Sequence, residues 1–302
     1  MGTTKKEMLP NDHKQQLVSV IMSFYNAKDT LATSLTSILW QTYKNWELIL
    51  MDDGSNDDTA MVLSAFQDPR ITLVRNTVRC GLPIRLNQAI ALAKGRYIAR
   101  MDADDIAFPD RFAQQVAYLE SHPTVDLLSS SALIIDDSNQ PIGILAAGLS
   151  HTEICKRPWR TFPMPHPTWM GKTDWFKNNR YDEQSKKAQD QELLLRTFQY
   201  SHFASLPNVL LGYRFTHLSL RKRLLTRYHH LKTLRTHLSL AHFLLALIAH
   251  LLAASRDILA IMMGKGSAIF LKTVAGVDAN TATQWSGIQQ QLLPKRQHSE
   301  ML

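Results

Sequence analysis

The chain has 302 residues, of which 45% are hydrophobic and 20% charged, so it can form one large domain with an appendage. Its two cysteines, Cys80 and Cys155, have no CxxC or metal-ligand spacing, which argues against a cysteine metal site and favours a reducing cytoplasmic compartment. The polar N-terminus has no apolar segment, so we expect no signal peptide there.

Apolar runs alternate with segments of helical period over the first half of the chain. Strands are predicted at 17–24, 46–52, 70–76, 96–102 and 125–135, separated by helices at 30–40, 58–66, 82–94 and 109–121. This alternation indicates βαβ units and an α/β fold with helices on both faces of a mostly parallel sheet. A helix at 187–200 and a strand at 206–215 are predicted to follow an irregular, proline-rich region.

The last third of the chain has a different character. Residues 221–235 contain six Lys or Arg and no acidic residue, and residues 238–254 contain no Lys, Arg, Asp or Glu. Such a succession is typical of helices that lie on an anionic membrane surface, and apolar stretches at 258–263 and 267–271 follow it. The alternative is that these helices fold back onto the preceding domain or form an oligomer. From residue 280 we expect a polar tail.

Polar clusters follow three of the predicted strands. Residues 23–26 follow the first strand, residues 52–55 the second and residues 102–105 the fourth. Because the carboxyl ends of parallel strands share one edge of the sheet, where ligands bind, we expect these clusters to form one site. The absence of GxGxxG after the first strand and of GxxxxGK[ST] anywhere argues against dinucleotide and P-loop sites.

The acidic residues at these strand ends are the candidates for chemistry. Asp102, Asp104 and Asp105 offer carboxylate oxygens that suit Mg²⁺ or Mn²⁺, and such a cation can neutralise a departing diphosphate. Asp53 can accept a hydrogen bond from a base or ribose, although Asp-Gly-Ser-Asn is also ordinary turn chemistry. Asp190 is a candidate general base at a helix start, where an acid can also serve only the helix N-terminus.

Two continuous segments carry a resemblance to a known family. The runs VSVIMSFYNAKDTLATSLTSILWQTYKNWELILMDDGSNDDT and CGLPIRLNQAIALAKGRYIARMDADDIAFPDRF resemble family 2 glycosyltransferases, which have the Rossmann-like GT-A fold. The similarity continues through MPHPTWMGKTDWF and AQDQELLLR to VLLGYRFTHLS. We therefore expect a polar tail at 1–16, a GT-A domain at 17–219, a helical appendage at 220–279 and a polar tail at 280–302.

The resemblance implies roles for the candidate residues. The nucleotide-sugar would contact residues of the strand-end clusters, namely Ser23, Phe24, Tyr25, Asn26, Asp53, Asp102, Asp104 and Asp105. Within that set Asp53 would bind the base, usually uracil. Asp104 would ligate Mn²⁺ or Mg²⁺ directly, and Asp102 would hold the ribose or the metal. Asp190 would be the catalytic base, preceded by Gln189 where the family has Glu.

Two histidines are weaker candidates. The resemblance places His166 where the family contacts the acceptor, and His217 could approach the metal or the diphosphate. A purely structural role stays an open alternative for both.

The implied reaction is metal-dependent transfer of a sugar from a nucleoside-diphosphate sugar, with UDP the expected nucleotide, to a hydroxyl of a glycan or lipid-linked acceptor. Configuration at the sugar carbon would invert. The basic appendage favours a peripheral location on the cytoplasmic face of the inner membrane, in surface polysaccharide or lipopolysaccharide synthesis. The alternatives are a sugar nucleotidyltransferase and a non-catalytic nucleotide-sugar-binding subunit. Nucleic acid is not an expected partner, since the basic segment leads directly into an apolar one.

Overall fold

A computed structural model describes residues 15–185, 187–215, 220–262 and 274–292. Its strands are β1 (Val18–Phe24), β2 (Trp46–Asp52), β3 (Ile71–Arg75), β4 (Tyr97–Arg100), β5 (Ile106–Ala107), β6 (Leu127–Ile135), β7 (Pro141–Leu145), β8 (Met170–Lys172) and β9 (Phe203–Arg214). Its helices are α1 (Leu31–Leu39), α2 (Thr59–Ser64), α3 (Leu82–Leu92), α4 (Arg111–Ser121), α5 (His151–Ile154), α6 (Thr173–Asn178), α7 (Gln189–Thr197), α8 (Leu220–His237), α9 (Leu240–Met262) and α10 (Ala279–Leu292).

Within these residues the strands form one sheet in the order β3-β2-β1-β4-β8-β6-β9-β5, and β7 pairs with β6 outside this path. The first four strands of this order are parallel, as expected when a helix connects each strand to the next. Strand β8 runs antiparallel to both of its neighbours, whereas β6 and β9 are again parallel. The predicted α/β class is confirmed. Strand β8 separates the parallel strands β3, β2, β1 and β4 from a mixed part, in which β5 and β7 run antiparallel to β9 and β6.

The central strands are buried on both faces, which explains their nearly continuous apolar sequence. On one face Val20 and Met22 pack in the same cluster as Leu35 of α1. On the other face Ile21 packs in the same cluster as Ile90 of α3. Successive side chains of a strand point to opposite faces, so both layers of helices are attached to the same strand.

Helices α8 and α9 form a hairpin that folds back onto this domain. Leu234 of α8 and Ala246 of α9 are fully buried in the cluster that also contains α3 and α7 residues. The ring of His242 stacks on Trp159 at 5.3 Å. The separate apolar stretch predicted from residue 258 is instead continuous with α9, and Asp257 within this helix pairs with Arg227.

The polar tail expected from residue 280 needs correction, because α10 occupies residues up to Leu292. Trp285 of this helix is 1% exposed and stacks on Phe108 at 5.7 Å. Its indole N–H donates to the Asn139 carbonyl at 2.9 Å. A Cβ on Gly212 would lie 2.5 Å from the Trp285 ring, so the glycine makes room for it. One large side chain therefore anchors a helix whose composition is mostly polar.

Candidate active site

A cleft of about 790 Å³ opens at the carboxyl ends of β1 and β4. Most of the residues that line it come from the end of β1 and the loop after it, the loop after β4, the start of α7, the end of β9 and the α8–α9 hairpin. They include Ser23, Phe24, Tyr25, Asn26, Asp102, Asp104, Gln191, Tyr213, Arg227 and His250. Two of the three predicted strand-end clusters therefore meet in one cleft, as their positions in the sequence predicted.

The loop after β1 is held by the loop after β2. Asn26 has a φ of 51°, a left-handed conformation that Asn tolerates, and its amide exchanges hydrogen bonds of 2.8 and 3.0 Å with Asn56. Ser55, Thr59 and Asp57 accept three successive backbone N–H groups of the loop, at 3.0 to 3.2 Å. The polar run after β2 thus positions the residues that line the cleft.

Asp102, Asp104 and Asp105, called the acidic cluster below, lie on the other side of the cleft. One carboxylate oxygen from each lies within 4.8 Å of the others. Asp105 is fully buried and accepts a 2.9 Å hydrogen bond from the backbone N–H of Arg214, while its second oxygen has no partner among the described residues. Asp102 and Asp104 are partly exposed and line the cleft.

Two arginines support this cluster from behind. The side chain of Arg100 is 3% exposed and forms an ion pair with Asp102. The guanidinium of Arg214 donates to the Asp104 carbonyl at 2.9 Å and to the Asp136 carbonyl at 2.7 Å, which fixes the turn. Sequence reasoning missed both, although an Arg inside the otherwise apolar strand β4 was the available signal for Arg100.

Crowding and burial change the protonation of the cluster. Burial, and then the charge of Asp102, raises the pKa of Asp104 to about 6. The same two causes raise the pKa of Asp105 well above its usual range. Burial and neighbouring negative charge both disfavour the ionised carboxylates here, and a bound cation would favour them. Oxygen ligands at this spacing, with one buried oxygen unpaired, suit a hard divalent cation, so the residues present fit the predicted Mg²⁺ or Mn²⁺.

Asp53 has a different environment from the one expected. Both of its oxygens are occupied, by the backbone N–H groups of Cys80 and Gly81 at 2.8 and 2.9 Å and by the Arg85 guanidinium at 2.7 Å. The residue is 4% exposed and is not among those that line the cleft. It holds the chain before α3, and contact with the base stays a prediction that its position does not favour.

Asp190 lies in the first turn of α7, between the cleft residues Ala188 and Gln191. The Gln191 amide donates to its carboxylate at 3.1 Å. Burial raises the pKa of Tyr213 above its usual range, with further contributions from Asp105, Asp102 and Asp190. Asp190 itself is not among the residues that line the cleft, although its neighbours Ala188 and Gln191 are.

The two histidine candidates differ in what can be described. His166 is 8% exposed, and its Nε2 forms a 2.7 Å hydrogen bond with the Tyr181 hydroxyl. Burial, and then the charge of Arg100, lowers its pKa well below the usual range, so it is neutral. These contacts favour a packing role, and the acceptor contact stays a prediction. His217 lies outside the described residues.

The chain is similar to known proteins over most of its length. The profile of the family described as Glycosyl transferase family 2 matches residues 19–180, more than half of the chain. The chain belongs to this family. A family 2 member from Methanocaldococcus jannaschii, described as an uncharacterized glycosyltransferase, is 32% identical over 228 residues, 72% of this chain and 79% of its own. The family match identifies a glycosyltransferase and not the alternative, a sugar nucleotidyltransferase.

Relatives with more specific names align over shorter parts. EpsE of Bacillus subtilis (strain 168), named as a glycosyltransferase, is 36% identical over 60% of this chain and 66% of its own. The Escherichia coli protein WfaP, named as a UDP-Glc:alpha-D-GlcNAc-diphosphoundecaprenol beta-1,3-glucosyltransferase, is 41% identical over 35% of this chain and 42% of its own. The chain thus covers less than two thirds of both of these relatives. They place it among family 2 enzymes of the bacterial surface-glycan type.

Solved structures confirm the GT-A fold. TarS of S. aureus in complex with UDP-GlcNAc superimposes with a TM-score of 0.59 at 16% identity, covering 91% of this chain and 80% of TarS. The mannosyltransferase PcManGT of Pyrobaculum calidifontis, in complex with GDP-Man and Mn²⁺, gives 0.59 at 20% identity over 96% of this chain and 88% of its own. At these identities the likeness concerns the fold alone.

Proposed function

We propose that this glycosyltransferase transfers a sugar, with inversion, from a UDP-linked donor to a lipid-linked glycan acceptor in surface polysaccharide or lipopolysaccharide synthesis. The observation that carries the proposal is the meeting of the acidic cluster and the start of α7 at one cleft. The acidic cluster would offer a cation site for a diphosphate, and Asp190, beside the cleft residues Ala188 and Gln191, would offer a carboxylate for proton removal. These are the two parts that an inverting transfer needs.

The chain's own residues divide the work. Asp102 and Asp104 would hold Mn²⁺ or Mg²⁺, which when bound neutralises the diphosphate that leaves with the nucleotide. Tyr25 and Asn26, presented by the loop after β1, would contact the nucleotide. Asp190 would accept the proton of the acceptor hydroxyl as its oxygen attacks the sugar carbon on the face opposite the diphosphate. The Gln191 amide, which donates to Asp190, holds the carboxylate in place for this step.

The acceptor class is supported by relatives and by the surface of the hairpin. The names of two E. coli relatives specify transfer to GlcNAc-diphosphoundecaprenol. Helix α9 is long and apolar enough over Leu240–Leu259 to cross a membrane, by length and composition only. Its buried residue Ala246 packs on the domain, whereas Leu251 and Leu252 are more than half exposed. A helix with one packed and one apolar face suits a position in the plane of the cytoplasmic membrane surface.

The test of the reaction is diphosphate release from a panel of UDP-, GDP- and dTDP-sugars with Mn²⁺ or Mg²⁺. Asp190→Asn should lower turnover about 10² to 10⁴-fold while Mn²⁺-dependent UDP binding is retained. Asp174→Asn is the matched control, since Asp174 is an exposed acid in the first turn of α6. Equal turnover of the Asp190 variant and wild type would exclude the base assignment. Release from no donor would favour the non-catalytic alternative.

A further inference from the structure

The inner face of the hairpin places charged and imidazole groups in the cleft. Arg223, Arg227 and His230 follow each other at i, i+4 and i+7 on α8 and therefore share one face. They line the same cleft as Tyr25 and Asp104. Sequence reasoning had noticed the basic segment, but its period could not show that this face meets the catalytic domain. Part of the basic segment thus serves the cleft and not the surface.

Asp257 of α9 lies beside both arginines. Its side chain is 2% exposed and lies 2.6 Å from a guanidinium nitrogen of Arg227 and 3.9 Å from one of Arg223. Both guanidinium-bearing residues line the cleft together with Asp257. Guanidinium groups match the oxygens of a phosphate through paired hydrogen bonds, which makes a phosphate-bearing ligand the natural complement.

Two buried nitrogens at this place lack partners. Nε of Arg227 and Nδ1 of His250 form no hydrogen bond within the described residues, although both atoms are buried. The His250 ring lies 5.1 Å from that of His230, edge to face, so the imidazoles are held in position. Buried polar groups without a partner cost free energy, and ligand oxygens would remove that cost.

The opposite side of the same hairpin is apolar. Leu245, Ile248, Leu251 and Leu252 are between 52% and 68% exposed. The arginines of the inner face and these side chains of the outer face are separated only by the thickness of a helix, about 10 Å. A molecule with a charged diphosphate and a long apolar chain has both kinds of contact available here.

We propose that Arg223 and Arg227 form the subsite for the diphosphate of the lipid-linked acceptor, where Asp257 is the counter-ion that the diphosphate displaces. The inference rests on the proposed function, because it assigns an acceptor subsite of that reaction. The donor diphosphate is the other source of the same chemistry, and it belongs to the acidic cluster. The experiment therefore measures lipid diphosphate binding while the nucleotide site is filled.

Binding of farnesyl diphosphate and of farnesol to the full-length protein is measured by calorimetry in detergent, with saturating UDP and Mn²⁺. Wild type should bind the diphosphate more tightly than the alcohol. Arg227→Gln should weaken diphosphate binding about tenfold or more and leave farnesol binding unchanged, since hydrogen bonds to charged groups are lost. Arg96→Gln is the control, because Arg96 is an exposed arginine at the opposite end of β4.

A second variant guards against simple misfolding of the hairpin. Asp257→Asn removes the counter-ion without removing volume, and it should tighten diphosphate binding. If the ion pair were merely structural, Asp257→Asn would weaken diphosphate binding or leave it unchanged, and that result would overturn the subsite. Loss of farnesyl diphosphate binding on addition of UDP would overturn it too, because the ligand would then occupy the donor site. Failure of the proposed reaction is seen separately, as no release from any donor in wild type.

Discussion

Arg100→Met tests how the acidic cluster is kept in place without its cation. At an effective dielectric constant of about 20, two carboxylates at the 4.8 Å limit of this cluster repel each other by about 3.5 kcal/mol. A guanidinium in contact with one of them contributes an attraction of about 4 kcal/mol, which offsets that repulsion. The Asp102 side chain is 27% exposed, so part of this is screened. The variant should therefore be destabilised by about 2 to 3 kcal/mol, which lowers Tm by about 5 to 10 °C.

The charge argument predicts a specific dependence on Mn²⁺. A cation bound by Asp102 and Asp104 would replace the missing positive charge. Mn²⁺ at about 1 mM should therefore raise Tm more in the variant than in wild type. Thermal scans with Mn²⁺ and with chelator measure this difference. Arg85→Met is the matched control, since the Arg85 side chain is also 3% exposed but pairs with Asp53, which does not line the cleft. Equal Mn²⁺ shifts in all three proteins would refute the reasoning.

Three further predictions concern the helices that follow the catalytic domain. Trp285→Ala should lower the free energy of unfolding, measured in urea, by about 3 to 5 kcal/mol, while Mn²⁺-dependent UDP binding is retained. A decrease below about 1 kcal/mol would show that Trp285 does not anchor α10. Burial lowers the pKa of His230 from 6.5 to about 4. As pH falls, the unfolded chain therefore takes up the proton before the folded chain does. The free energy of unfolding decreases between pH 6.5 and 4, by at most about 3 kcal/mol, and does not change for this reason above pH 6.5. His230→Gln should make the difference between the unfolding free energies at pH 7 and pH 4.5 smaller than in wild type. An unchanged difference would contradict this expectation. Leu251→Glu with Leu252→Glu should abolish co-flotation with anionic vesicles and preserve turnover on soluble acceptors, whereas unchanged flotation would exclude this membrane face.

Sequence reasoning predicted the parts of the site that depend only on residues close together in the chain. Asp102 and Asp104 follow a buried strand directly, and the ends of parallel strands converge whatever the helices do. Asp190 could be placed because a helix start is visible in the pattern that follows it. These predictions needed no knowledge of distant partners.

The remainder depends on pairs that are far apart in sequence. Asp53 is occupied by Arg85, 32 residues later, so the turn around Asp53 alone did not reveal that partner. The direction of the α8–α9 hairpin depends on contacts such as that of His242 with Trp159, which hydrophobic period does not encode. Helix α10 was missed because one buried tryptophan gives a weak signal in a polar segment.

The interlocked loops after β1 and β2 have a consequence for protein engineering. The Asn26 amide donates to the Asn56 side-chain carbonyl and accepts from the Asn56 backbone N–H, so replacement of Asn26 removes both bonds. Residues 23–30 and 52–59 thus behave as a single inherited unit, although 21 residues separate them in the chain. A chimera that takes only the first segment from a relative with another donor should lose expression or donor affinity, and one that takes both should retain them.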